Sequence, residues 1–137
     1  MATKEEREAL LKRIDEEYAP ELLAEADDSL KADREVVLEA VKQAGEALMY
    51  ADDSLKADRE FMLEAVKQGA GPFGRALEYA ADSLKADREF VLEAVEMQGG
   101  ALYYADDSLK ADREVVLEAV RRDGGSLQFA DDSLRAD

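Results

Sequence analysis

The sequence predicts an all-α tandem helical-repeat protein with two short helices in each unit of about 25 residues. Its central stretch, A-D-D-S-L-K-A-D-R-E-V-V-L-E-A-V at residues 26–41, returns almost unchanged at Ala51, Ala80 and Ala105 and begins again at Ala130. The composition, 47% hydrophobic and 38% charged, is typical of amphipathic helices. A unit this short cannot bury its own apolar face, so we expect the units to stack into a solenoid or superhelical bundle.

The 137 residues are expected to form a single repeat domain. Residues 1–25 are predicted to be an N-terminal capping helix, because T-K-E-E at residues 3–6 is a capping box and apolar residues follow at helical spacing. The predicted repeats are 26–50, 51–79, 80–104 and 105–129, and residues 130–137 are a truncated repeat.

The first helix of each repeat is predicted to begin at an aspartate N-cap that precedes R-E and an apolar run. These aspartates are Asp33, Asp58, Asp87 and Asp112. The apolar positions cover a face too wide for a surface helix, so we expect contacts on two sides.

A glycine follows each first helix and is expected to close it in the left-handed conformation, at Gly45, Gly74, Gly99 and Gly124. A shorter second helix and a one-turn D-S-L connector should follow. Each second helix carries a ring, at Tyr50, Tyr79, Tyr104 and Phe129. This series lies either in the core between repeats, which we favour, or along a binding groove.

The charge and composition exclude several classes of function. A formal charge of −16 would repel phosphate backbones and anionic lipids, so we expect neither nucleic acid nor membrane as a partner. No apolar run could span a bilayer, and the N-terminus is too acidic for a signal peptide. We therefore expect a cytoplasmic protein, or an organellar one if a presequence was removed.

No catalytic, cofactor-binding or metal site is predicted. The chain has no cysteine and no histidine, which removes thiolate ligands and the commonest general base. The D-D-S clusters lack the alternating ligands, the glycine and the terminal glutamate of a calcium loop. They are interpreted as helix caps and solvated surface, and the protein is not expected to be an enzyme.

Possible partner-binding residues lie where the repeat is broken. The insertion at residues 69–72 is followed by Phe73 and Arg75, and an inserted loop with a large apolar residue can anchor a partner. Tyr103 replaces Met, Glu and Gln of the other copies, and Phe129 belongs to the last full repeat. The alternative for the insertion is a tolerated loop expansion.

An arginine occupies the first position of each first helix, where the helix dipole disfavours a cation. These residues are Arg34, Arg59, Arg88 and Arg113. We expect each to pair with a carboxylate of the connector or of the adjacent repeat, which would form a structural Arg–Asp ladder along the array. A peptide-binding role is the less favoured alternative.

The pattern D-R-E-[VF]-[VM]-L-E-A-V-x-x-x-G-x-A-L-x-Y-A-D-D-S-L-K-A resembles the tandem repeat of the domain of unknown function 4116 family, from Ala26 to Asp137. The resemblance implies an all-helical repeat and no established activity. Residues 1–25 and the insertion depart from the pattern. The near identity of the copies suggests recent duplication or an idealised design.

The predicted function is noncovalent protein–protein interaction or scaffolding. The alternative is a small structural subunit that fills or bridges a larger assembly. A fifth first helix would begin at Asp137, so the last full repeat is expected to lack a C-terminal cap. Leu117, Val120, Leu127 or Phe129 should then be partly exposed, and we expect a protein partner or self-association at this end.

Overall fold

The computed structural model describes residues 2–16, 20–68 and 72–135, and for Pro20 and residues 72–75 it describes the backbone alone. Within these ranges the chain contains helices and turns and no strand. A one-turn helix, a long helix and a 3-10 helix follow one another in a repeating order. The prediction of an all-α tandem helical repeat is therefore confirmed.

The helices are of three kinds. The α-helices are, in chain order, α1 Lys4–Glu16, α2 Asp28–Lys31, α3 Arg34–Gln43, α4 Asp53–Lys56, α5 Arg59–Lys67, α6 Asp82–Lys85, α7 Arg88–Met97, α8 Asp107–Lys110, α9 Arg113–Arg122 and α10 Asp132–Arg135. We call α3, α5, α7 and α9 the long helices, and α2, α4, α6, α8 and α10 the connectors. The 3-10 helices span Pro20–Leu22, Gly45–Tyr50, Pro72–Tyr79, Gly99–Tyr104 and Gly124–Phe129.

Each long helix begins at an aspartate N-cap. Asp33 Oδ1 accepts a hydrogen bond of 3.1 Å from the amide of Val36, and Asp58 Oδ1 accepts one of 3.0 Å from the amide of Phe61. The other two long helices are capped in the same way. Because the cap fixes where the helix begins, it also fixes which apolar side chains face the core.

The connectors are capped by aspartate as well, with one exception. Asp27 accepts hydrogen bonds from the amide and the hydroxyl of Ser29, at 2.9 and 2.7 Å. Asp52 accepts the same amide bond at the start of α4. Ala81 occupies this position before α6, with the same backbone conformation and no side-chain acceptor. That connector therefore starts with an amide that no side chain caps.

The core runs along the stack because the long helices α3, α5 and α7 each pack against another helix on both sides. In α3 the side chains of Val36, Val37, Ala40 and Val41 are buried. This helix contacts α1 on the preceding side and α5 on the following side, and α7 contacts α5 and α9 in the same manner. Successive 3-10 helices also pack against each other. Burial in each copy thus depends on its neighbours.

Backbone hydrogen bonds join successive connectors. The amide at the N-cap of one connector donates to the carbonyl oxygen of the last lysine of the preceding connector. These bonds measure 2.9 Å from Asp52 to Lys31, 2.9 Å from Ala81 to Lys56, 3.0 Å from Asp106 to Lys85 and 2.8 Å from Asp131 to Lys110. They fix the register between copies independently of the side chains.

The prediction that glycine closes the long helices in the left-handed conformation is wrong at Gly99 and Gly124. Helices α7 and α9 end at extended residues, Gln98 with φ −144° and Asp123 with φ −151°. The glycines begin the following 3-10 helices, and their φ angles lie outside the left-handed region. A reason other than backbone conformation must account for the glycine.

Candidate partner-binding site

The arginines at the start of the long helices contact carboxylates of the following copy. Arg34 Nη1 donates to Asp58 Oδ2 at 2.7 Å. Arg88 donates from Nε to Asp112 Oδ2 and from Nη2 to Glu114 Oε2, both at 2.7 Å. The aspartate is the N-cap of the next long helix. One carboxylate thus caps a helix and holds the arginine of the preceding copy.

The arginine before the insertion pairs differently. Arg59 Nη2 donates to Glu93 Oε1 at 2.5 Å, while its Nη1 lies 4.0 Å from Asp87 Oδ1 and 3.8 Å from Glu89 Oε2. The guanidinium therefore bonds one turn further along the next helix. Arg113, the last of the four, is exposed beside an apolar groove.

The N-terminal helix α1 supplies an arginine of the same kind that the sequence analysis missed. Arg7 donates from Nε to Asp33 Oδ2 at 2.6 Å and from Nη2 to Glu35 Oε2 at 2.7 Å. The signal was R-E-A-L-L at residues 7–11, which matches R-E-V-V-L at 34–38. The two stretches lie 27 residues apart, two more than the repeat length of about 25.

Three of the paired aspartates, Asp33, Asp58 and Asp112, have lowered pKa values. The hydrogen bond from Arg7 holds the pKa of Asp33 below its ordinary value, and Arg88 does the same for Asp112. For Asp58 the amide of Phe61 is the main cause of the lowered pKa, and Arg34 adds to it. These pairs are partly solvated, so they stabilise the stack modestly and chiefly fix its register.

The apolar groove lies beyond α9, at the C-terminal end of the described stack. It has a volume of about 250 Å³ and is lined by Arg113, Val116, Leu117, Val120, Leu127 and Leu134. We call it the terminal groove. Its walls come from α9, from the 3-10 helix that follows and from α10. In the copy before it, the corresponding elements, α7, the 3-10 helix Gly99–Tyr104 and α8, all contact α9.

The last copy differs from the earlier ones in its exposure. Leu127 is 39% exposed, whereas the leucines at the same position of the three earlier copies, Leu48, Leu77 and Leu102, are 0% exposed. In α9, Leu117 is 46% exposed. Val120 is half-buried, whereas its counterpart Val95 in α7 is fully buried. In the earlier copies, the following copy packs on this surface and buries the equivalent leucine and valine side chains.

Tyr103 lies outside the terminal groove, on a small aromatic cluster. It is 54% exposed, and its ring meets those of Tyr104 and Phe129 edge to face, with centroids 4.9 and 5.1 Å apart. Lys110 Nζ lies 5.5 Å from the centroid of the Tyr103 ring. Phe129 is half-buried and lines a polar recess with Lys110 and Asp131 instead of the groove. Phe129 is thus partly exposed, as expected, although it lies outside the groove.

The aromatic series of the second helices packs against the core. Tyr50, Tyr79, Tyr104 and Phe129 are all half-buried against it. The side chains of Phe73 and Arg75 lie outside the described residues. Within the described ranges, no three carboxylate side chains are grouped so that they could hold a metal ion. No helix there has the length and apolar character needed to cross a bilayer.

Comparison with known families finds four overlapping matches to one family model, the domain of unknown function DUF4116. The matches cover residues 16–56, 33–85, 58–110 and 87–135. The chain belongs to the DUF4116 family. No curated protein and no solved structure matches it.

Three of the DUF4116 matches begin at the N-cap aspartate of a long helix, at Asp33, Asp58 and Asp87. Each of these matches includes two long helices and therefore a complete interface between copies. Arg7 lies outside every match and still makes the interface pair of the DUF4116 repeats. Helix α1 thus covers the first repeat as a long helix would.

Proposed function

We propose that this DUF4116 chain is a noncovalent protein-binding or scaffolding module, and that the terminal groove is its binding surface. The observation that carries the proposal is the exposure of Leu127, whose three counterparts are completely buried. Leu117 and Val120 add to the same apolar surface. Contiguous exposed apolar side chains of this kind mark interaction sites more often than scattered ones do.

The chemistry of the groove supports binding and not catalysis. Its lining is aliphatic apart from Arg113. Among the described residues that line it, none has a carboxylate, hydroxyl or amide side chain that could act as a nucleophile or a general base. We infer that the chain is not an enzyme and that it binds its partner through a complementary apolar surface.

A pull-down with matched variants tests this proposal. Leu117→Glu combined with Leu127→Glu places two charges in the groove, and both positions are already exposed, so the fold should survive. Met49→Glu is the control because Met49 is an exposed apolar residue in the first repeat, far along the stack from the groove. Circular dichroism establishes that each variant is folded.

We expect proteins captured by the wild-type chain and by the Met49→Glu control to be absent with the double variant. Capture that is equal in all three would show that the terminal groove is not the binding surface. If only the Met49→Glu variant failed to capture these proteins, the binding surface would instead lie on the first repeat.

A further inference from the structure

Tyr103 is exposed at a position that faces outward in every copy. Met49, Glu78, Tyr103 and Gln128 hold the same place in successive 3-10 helices, and all four are exposed. Met49 is 51% exposed even though its 3-10 helix packs against both the preceding and the following one. Stacking of copies therefore leaves this position open, and the 54% exposure of Tyr103 is a property of its own copy.

A polar recess adjoins Tyr103. It has a volume of about 280 Å³ and is lined by Asp107, Lys110, Phe129, Ala130, Asp131 and Asp132. Tyr103 contacts two of these lining residues, because its ring lies against Phe129 and beneath Lys110. We call Tyr103 together with the lining residues the tyrosine recess. Its sides come from the successive connectors α8 and α10, so it lies between two described copies.

The tyrosine recess already holds one cation of the chain itself. Lys110 Nζ lies 5.5 Å from the centroid of the Tyr103 ring and 3.9 Å from Asp107 Oδ1. An ammonium group over the face of a tyrosine is attracted by the ring quadrupole. With Lys110 in this place, more than half of Tyr103 is still exposed. The ring therefore has area left for a second cation.

The charge of the recess also favours a cation. Its lining contains three aspartates and one lysine. The side chains of Asp107 and Asp132 are 99% and 88% exposed, although Lys110 lies near the first and Arg135 pairs with the second. Solvated carboxylates of this kind can accept hydrogen bonds from a ligand without a rearrangement of the fold. The formal charge of −16 raises the local concentration of cations further.

We propose that the tyrosine recess binds an arginine side chain in a basic segment of a partner protein. The guanidinium group stacks on Tyr103 and donates hydrogen bonds to the carboxylates of the recess. Arginine fits better than lysine, because its planar group can stack and bond at once and is more weakly hydrated. A basic segment complements the acidic connectors on either side. This surface is separate from the terminal groove, so the inference goes beyond the proposed function and does not depend on it.

The test is an NMR titration of the intact, isotope-labelled chain with a short Gly-Ser peptide that carries two arginines. Physiological ionic strength is used, because the Debye length is then about 8 Å and remote charges contribute little. We expect saturable shifts at the amides of Tyr103, Lys110 and Phe129. The same peptide with lysines should bind more weakly, and the one with uncharged citrulline should not bind.

A matched pair of variants tests the role of the ring. Tyr103→Gln introduces the side chain that Gln128 has at the same position of the next copy, so the fold should survive. It should weaken binding of the arginine peptide about two- to tenfold. Met49→Gln makes the corresponding change in the first repeat and should leave binding unchanged.

A second matched pair tests the role of the carboxylates. Asp107→Asn combined with Asp132→Asn removes two charges from the recess and should weaken binding about three- to tenfold. Asp28→Asn combined with Asp53→Asn removes two charges from the same connector position of earlier copies and should leave binding unchanged. The N-cap aspartates of all four connectors stay in place.

Four outcomes would overturn the inference. Equal weakening by the two asparagine pairs would show that the peptide responds to the net charge of the chain, and an absence of shifts around Tyr103 would place it elsewhere. Equal binding of the lysine and arginine peptides would remove the assignment to arginine. Concentration-dependent shifts at Tyr103 without any peptide would assign the surface to a second copy. The terminal groove is tested separately, so none of these results bears on the proposed function.

Discussion

Gly99 of one repeat lies so close to α9 of the next that a Cβ atom on it would be 2.5 Å from the carbonyl oxygen of Ala119. Gly124 occupies the same position one copy later, and a Cβ atom on it would have no neighbour within 4 Å. Neither glycine has a left-handed φ angle. The presence of a following long helix, and not the local backbone, therefore decides whether glycine is needed.

Gly99→Ala should lower the free energy of unfolding by about 1–3 kcal/mol, because the backbone oxygen of Ala119 cannot move aside without shifting α9. Gly124→Ala should leave it unchanged or raise it by up to about 1 kcal/mol, since the unfolded chain loses freedom and no clash arises. Urea denaturation of both variants measures the difference. Equal destabilisation at the two sites would show that the backbone conformation requires glycine.

Ala81→Asp should raise the free energy of unfolding by about 0.5–2 kcal/mol. Ala81 has φ −61° and ψ 149°, nearly the angles of Asp52, whose side chain caps α4, so the aspartate can accept the amide of Ser83 without rearrangement. Ala81→Ser is the uncharged control and should give part of the gain. If Ala81→Asp lowered the free energy of unfolding and Ala81→Ser raised it, charge repulsion in this acidic chain would outweigh the stabilisation by the cap.

Ser126→Ala should raise the free energy of unfolding by about 1–3 kcal/mol, because the Ser126 hydroxyl is fully buried and the described structure offers it no hydrogen-bond partner. The equivalent residues Ala47, Ala76 and Ala101 are buried without a polar group. Ala101→Ser is the reverse control and should destabilise by a similar amount. Thermal and urea denaturation measure both, and a destabilised Ser126→Ala would indicate that the hydroxyl has a partner.

The helices and their caps could be predicted because their signals are local. An aspartate, the following R-E and an apolar run lie within one stretch of sequence, and the structure places the cap at that aspartate in every long helix. The wide apolar face also predicted the two-sided packing correctly. Exposure of Leu117 and Leu127 was expected from counting the repeats in the given sequence, and both side chains are exposed.

Features that depend on the offset between copies could not be predicted. The bonds from Arg34 and Arg88 reach the next long helix and not a connector, which the sequence analysis left open. The backbone bonds between connectors have no side-chain signal at all. The role of Gly99 was assigned to backbone conformation because the approach of α9 is invisible in the sequence.

The free energy of unfolding should decrease as the pH falls below about 4. Asp33 and Asp112 have folded-state pKa values below the ordinary 3.8, because Arg7 and Arg88 donate to them. A carboxyl group with a lowered folded-state pKa stabilises the fold above its unfolded-state pKa, and the stabilisation is lost as the pH falls through the folded-state value.

Urea denaturation between pH 6 and pH 2 measures this dependence. Asp33→Asn combined with Asp112→Asn should reduce it, because asparagine still caps a helix and does not titrate. An unchanged pH dependence in the double variant would assign the acid transition to other carboxyl groups.

The most direct test of the terminal groove is the rate of thiol labelling at Leu127→Cys, because the chain has no cysteine of its own. The introduced thiol should react rapidly, whereas the one introduced by Leu102→Cys, at a 0% exposed position, should react only through unfolding. Equally slow labelling at both sites would contradict the assignment of this groove as an exposed apolar surface.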